Sequence, residues 1–203
     1  MADILEYTTV HLQRNDLQDR VRLETPTHPA LRSPGVHLSN ILRFLVLESG
    51  MIRYQEQLEE MDLPLRMAMG LAWEEFCVSL YSDILWQPGE ISTDDGIYMT
   101  CDGLARSNDH IRVEEFKLSW RKSKTADEIL ADEWYWCHQL RGYCLGYNAR
   151  EVRLHACWVN GDYRGSGPIY NRYRFRFSDK EIETTRTMLV ANMQRAIEKG
   201  YAE

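Results

Sequence analysis

At 203 residues, 44% of them hydrophobic and 27% charged, the chain can bury one well-formed core and is short for two, so residues 1–203 are predicted to form a single α/β (α+β) domain. Its apolar runs, such as Ile41 to Leu47, are far shorter than the roughly 20 residues that cross a bilayer, and no basic-then-apolar leader opens the chain, so a membrane-spanning or secreted protein is not expected. The net charge of −7 argues against a uniformly cationic nucleic-acid binder, yet residues 103–176 hold 13 Lys and Arg against 9 Asp and Glu, so a locally basic surface can exist on an acidic protein.

The five cysteines, Cys77, Cys101, Cys137, Cys144 and Cys157, are odd in number, form no C-x-x-C pair and mostly lie in apolar segments. That pattern predicts buried thiols in a reducing cytoplasm over disulfides or a metal site.

Residues 1–36 are polar, contain Pro26, Pro29 and Pro34, and keep no sustained period, which predicts an irregular arm with at most a short strand or helix. Helical spacing then begins: Ile41, Leu42, Leu45 and Val46 recur three and four residues apart behind Ser39 as N-cap. Residues 50–61 read as a charged, solvated segment. Pro64 opens a helix predicted over Leu65 to Leu85, carrying Gly70 and, one turn later on nearly the same face, Glu74.

An apolar run from Ile97 ends in Asp102, and after the turn Ser107-Asn108-Asp109 a second run contains Val113-Glu114-Glu115-Phe116-Lys117-Leu118. Side chains alternate along a strand, so Val113, Glu115 and Lys117 share one face while Glu114, Phe116 and Leu118 share the other. An antiparallel hairpin brings Asp102 beside Glu115 and Lys117. Thr125 to Glu128 forms a capping box for a helix predicted to reach Gly146 or Tyr147, on which Gln139 and Tyr143 share a face. Glu151 to Val159 and Tyr170 to Phe177 alternate as strands. In the second, Arg172, Arg174 and Arg176 share a face, either as a solvated edge or as a row facing phosphate. A second capping box, Ser178 to Glu181, starts a C-terminal amphipathic helix.

Two carboxylates and a lysine converging on a strand pair suit phosphodiester hydrolysis with a hard cation. Mg²⁺ binds a few carboxylates and keeps its other positions for water and phosphate, and an ammonium orients the nucleophile or stabilises developing charge. A simple Glu115–Lys117 ion pair on a hairpin would leave the same trace in sequence.

The order of four motifs goes further. Gly70-x-x-x-Glu74, Cys101-Asp102-Gly103-Leu104, Glu115-Phe116-Lys117 and Gln139-Leu140-Arg141-Gly142-Tyr143 resemble, in sequence, the signature of the PD-(D/E)XK nuclease superfamily. Within it they resemble the phage lambda exonuclease and RecB-like branch, which includes YqaJ-like viral recombinase nucleases. The resemblance implies a restriction-endonuclease-like core, a central mixed sheet flanked by helices. It implies a Mg²⁺-dependent deoxyribonuclease, Mn²⁺ substituting, of the phage exonuclease type used in DNA recombination, repair or degradation. Asp102, Glu115 and the backbone carbonyl of Phe116 would be metal ligands, with Glu74 approaching from its helix and Glu75 as the alternative register. Lys117 would position the attacking water, and Gln139 and Tyr143 would organise the site. Candidate DNA contacts are Arg121, Lys122, Lys124, Arg141, Arg172 and Arg174.

By the same resemblance the partners would be DNA, a single-strand annealing protein and further copies of the chain as a trimer, in the cytoplasm of a bacterial host. Cys101 stands where the family name places proline, and the cysteine spacing does not match its iron–sulfur members, so no cluster is expected. The alternatives are a RecB-like single-strand or flap nuclease and a catalytically silent nucleic-acid-binding protein.

Overall fold

The computed structural model describes residues 2–10, 33–50, 62–107, 110–162, 164–165 and 167–201. The charged segment 51–61, most of the proline-containing arm and the tip of the predicted hairpin turn, Asn108-Asp109, lie outside them.

Six strands form the central sheet in the order β1 (Asp3–Val10), β9 (Ile169–Arg176), β8 (Glu151–Trp158), β7 (His110–Ser119), β6 (Gly103–Ser107), β3 (Ile84–Trp86). The β7–β8 pair is parallel and every other neighbour antiparallel, giving a mixed sheet. A small second sheet joins β2 (Val36–His37), β5 (Ile97–Met99) and β4 (Ile91–Ser92). On one face of the central sheet lie α1 (Leu38–Glu48), α4 (Trp134–Gly146) and α5 (Asp179–Glu198), with the short α3 (Ala126–Asp132) leading into α4; α2 (Asp62–Leu80) packs against β7. This is the expected architecture, a restriction-endonuclease-like core.

The main core lies under α1, α4 and α5. Val113, Val152, Leu154, Ala156, Tyr173 and Phe175 from the sheet, and Phe177 just past the end of β9, are fully buried there. Burying a large aliphatic or aromatic side chain stabilises by about 1.5–3 kcal/mol, so this face holds the sheet and the three helices together. A smaller cluster, Cys77, Ile84, Ala105, Phe116 and Tyr170, lies under α2. All five cysteines are free and buried. Among the described residues no helix is long and apolar enough to cross a membrane.

Several elements differ from their predicted form. The arm is not wholly irregular, because Asp3–Val10 pairs along β9 as an edge strand. The cap of α1 is His37, in extended conformation and without a side-chain bond, one place before the helix and two before Ser39. The helix predicted to Leu85 stops at Leu80, where Tyr81 N–H turns back to Val78 at 3.1 Å. Ile84, Leu85 and Trp86 then pair with Ala105, Leu104 and Gly103. Leu85 is exposed between two more buried neighbours, a period of two that helical spacing masked.

The run toward Asp102 is likewise two strands in different sheets, β5 and β6, with Asp102 at the joint. The single helix predicted after Thr125 is α3 and α4, broken at Glu133 (φ −96°, ψ 63°), a buried carboxylate held by Arg121 at 2.9 Å and Lys124 at 2.8 Å. Both predicted capping boxes, at Thr125 and Ser178, are formed.

Candidate active site

The site forms because β6 is shorter than β7. Gly103 pairs with Glu114, so beyond Glu114 the β6-facing edge of β7 has no strand beside it. The Asp102 carboxylate fills that gap, Oδ2 accepting the Phe116 N–H at 2.8 Å. The N–H and C=O of one strand residue point to the same edge, so the Phe116 carbonyl faces this gap as well. Asp102 is fixed by its own backbone, whose carbonyl accepts from Gln87 N–H at 3.0 Å, and by its neighbour Cys101, buried with Sγ 3.3 Å from the Gly103 carbonyl. A Cβ on Gly103 would lie 2.6 Å from Ile84 Cγ2, so glycine lets β3 close against this joint.

Glu115 projects to the face covered by α4 and is 1% exposed. One of its oxygens is bonded by Lys117 Nζ; the other, Oε2, is buried with no hydrogen-bond partner. Burial and then the Asp102 charge push the Glu115 carboxyl up to about 8. Burial likewise raises Asp102, against the pull of Lys117. Burial works to neutralise Lys117, but Glu115 and then Asp102 outweigh it and hold the ammonium charged.

The two walls are helical. Glu74 on α2 is half-buried and pushed up to about 9, by burial first and then by the charges of Asp102 and Glu115; Glu75 is exposed. Of the two adjacent acids, therefore, Glu74 is the one that feels the carboxyl pair. Gly70 does not act as a close-approach glycine, since an added Cβ there would meet nothing within 4 Å. On α4, Gln139 Nε2 donates to the Tyr143 hydroxyl at 2.8 Å, and burial followed by the Glu115 and Asp102 charges keeps that phenol neutral. Gly142 between them allows Leu38 of α1 to approach, where a Cβ would stand 2.7 Å from Leu38 Cδ2. A cavity of about 100 Å³ lined by His37, Ser39 and Tyr98 meets the site only through Gln139 and Tyr143.

The structure thus gathers Glu74, Asp102, Glu115, Lys117, Gln139 and Tyr143, drawn from α2, the β6–β7 gap and α4. It does not gather the cationic candidates. Arg172 and Arg174 alternate with the core residues Tyr173 and Phe175, so they lie on the sheet face opposite Glu115, and Arg174 and Arg176 both grip Glu151. Arg141 is bonded to Glu181 at 3.4 Å and stacks over Phe177, while Arg121 and Lys124 hold Glu133 and Lys122 is exposed. Tyr135, one turn before Gln139, is half-buried against the main core.

Among the described residues no three His, Cys, Asp or Glu side chains form a ready cage for a metal ion. The Asp102–Glu115 pair still fits a hard divalent cation. All its donors are oxygens, Glu115 Oε2 is an orphaned buried atom, and two adjacent carboxyls cannot both ionise without a proton or cation between them.

No family model and no curated protein matches the chain. Among solved structures it is similar to SSO0001, with a TM-score of 0.49 and 12% identity over 89% of this chain and 82% of that one. It is also similar to an alkaline exonuclease, LHK-Exo, from Laribacter hongkongensis, with a TM-score of 0.41 and 15% identity over 86% of this chain and 84% of that one.

Proposed function

We propose that the chain is a divalent-metal-dependent deoxyribonuclease acting as an exonuclease of the phage recombination type. The observation that carries this reading is the carboxyl pair of half-buried Asp102 and buried Glu115, its orphaned oxygen, and the charged Lys117 beside it. The order of motifs in the sequence supports it. Asp102, Glu115 and the Phe116 carbonyl would hold Mg²⁺ or Mn²⁺, with Glu74 reaching it directly or through water. Bound there, the ion would polarise the phosphodiester and make a water acidic enough to serve as nucleophile.

The chain's own groups do the rest. Lys117, kept protonated by Glu115 and Asp102, donates to the nucleophile or to the phosphoryl oxygens and offsets charge as it develops. Gln139 and Tyr143 brace each other, and the neutral Tyr143 hydroxyl remains a donor for a phosphate oxygen. Because Glu115 and Glu74 hold their protons to about 8 and 9, the ionised form that binds a cation is favoured at alkaline pH.

The test is degradation of end-labelled linear duplex, single-stranded, flapped and covalently closed circular DNA with Mg²⁺ or Mn²⁺. Degradation of linear DNA from an end with the circle spared is expected. Cutting of the circle overturns the exonuclease assignment, and failure on every substrate overturns the nuclease reading.

A further inference from the structure

One set of buried polar groups takes no part in that chemistry, and it lies on the other face of β7. Glu114 Oε1 accepts from Arg112 Nε at 2.6 Å, and Glu114 Oε2 lies 2.8 Å from His155 Nε2. His155 Nδ1 is 2.5 Å from the Tyr170 hydroxyl, which is 2.9 Å from the Tyr81 hydroxyl. Glu114 and His155 are 0% exposed, Arg112 and Tyr170 5%. Arg112 extends to Asp83 at 4.0 Å.

The directions of the bonds follow. Burial lowers the basicity of His155, so its ring is neutral with one N–H, and the carboxylate of Glu114 takes that N–H from Nε2. Nδ1 then accepts from Tyr170, whose oxygen accepts from Tyr81. Donation runs one way, from Tyr81 through Tyr170 and His155 to Glu114.

The circuit begins and ends at α2. Tyr81 and Asp83 both stand in the turn that follows the helix, so Asp83, Arg112, Glu114, His155, Tyr170 and Tyr81 close a loop across β7, β8 and β9. Tyr170 also meets the body of α2. The Trp73 ring stands edge-on to it at 5.1 Å, and Cys77 shares its buried cluster. Trp73 and Cys77 are four residues apart on one stripe of the helix, Tyr81 continues that spacing one residue past its end, and all three surround Tyr170. Glu74 follows Trp73 directly, so the stripe that fixes the rotation of α2 also fixes where Glu74 points.

We propose that Tyr170, backed by His155 and Glu114, is a positioning residue that sets the rotation and height of α2 so that Glu74 meets the Asp102–Glu115 pair. This rests on the reading of that pair as the hydrolytic site.

Tyr170→Phe keeps the ring against Trp73 and removes only the hydroxyl that joins His155 to Tyr81. Two measurements on the full chain test the proposal. In DNA cleavage at saturating Mg²⁺, Tyr170→Phe should lower kcat about tenfold, within the range for losing an outer-shell partner, with KM for DNA unchanged. In a Glu74→Gln background the same substitution should change nothing further, because its effect passes through Glu74. An equal loss in both backgrounds, or a lower Tm with kcat intact, overturns the proposal. Amide hydrogen exchange gives a readout independent of activity. Tyr170→Phe should speed exchange over residues 70–80 roughly fivefold to tenfold, the factor for one lost hydrogen bond, while β7 and β8 keep their protection. Unchanged exchange in α2 overturns the proposal even if the protein cleaves no DNA, a result that would separately remove the nuclease reading.

Discussion

Glu114 and Glu115 are consecutive on β7 and equally buried, yet they stand in opposite electrostatic situations. Both oxygens of Glu114 are met, by Arg112 and by His155, with Arg153 at 3.8 Å behind them. Glu115 has one oxygen on Lys117, the other without a partner, and a second carboxyl beside it. Burial alone therefore does not mark a functional acid. A buried carboxylate whose oxygens are all satisfied belongs to the scaffold, whereas one left with an orphaned oxygen next to another acid is held in a state that only a proton or a cation relieves.

The comparison breaks most visibly if substitutions on the open face damage folding more than activity. Asp102→Ala and Lys117→Ala should each lower DNA cleavage at least a hundredfold, roughly the loss on removing one preorganised electrostatic group, while thermal unfolding stays within a few degrees of wild type. Collapse of the fold in either variant, or retained cleavage, would place the chemistry elsewhere. On the closed face the balance reverses. Glu114→Ala leaves Arg112 and His155 buried without their acceptor and should cost about 3–5 kcal/mol in denaturant unfolding, the usual cost of breaking a buried pair from one side.

Glu74 and Glu75 sharpen the same contrast on α2. Glu74→Gln should lower cleavage about 10- to 100-fold, as for other groups that support a metal site, and Glu75→Gln should leave it unchanged. A larger loss for Glu75 would mean that α2 is rotated by one residue.

A smaller effect lies in the pH dependence of stability. Glu115 and Glu74 have folded values raised to about 8 and 9 from an ordinary 4.5, so between those limits the folded state holds more protons than the unfolded one. Stability of the metal-free protein from this source is present below about 4.5 and is lost as pH rises through about 8 and 9. Melting of wild type and Glu115→Gln without metal at pH 5 and pH 9 should show the larger fall in wild type. Parallel curves would mean that Glu115 is not strained.

Much of the site was legible in sequence because strand alternation and helical spacing are local rules. Alternation separated Glu114 from Glu115, and a spacing of four paired Gln139 with Tyr143. Most helices and strands were legible for the same reason, whereas the mixed sheet was implied only by the resemblance that the four motifs carry. Long-range partners were not. Which strand ends first is a property of pairing, so the gap that Asp102 fills beside Phe116, and the assignment of Ile97–Met99 to a separate sheet, required the fold. The arginine row of β9 was read correctly as one face, but which face depends on the burial of Tyr173 and Phe175 against α4 and α5, a tertiary fact. His155 gave no local signal, because its partners Glu114 and Tyr170 lie 41 and 15 residues away.

The open Asp102–Glu115 pair is the proposed seat of the divalent cation. Calorimetric titration of Mn²⁺ into metal-free protein at pH 8, wild type beside Asp102→Ala, tests it directly. Saturable binding with proton release is predicted for wild type, and a loss of at least about tenfold in affinity for the variant. Equal binding by the two proteins, or none by wild type, would contradict the account.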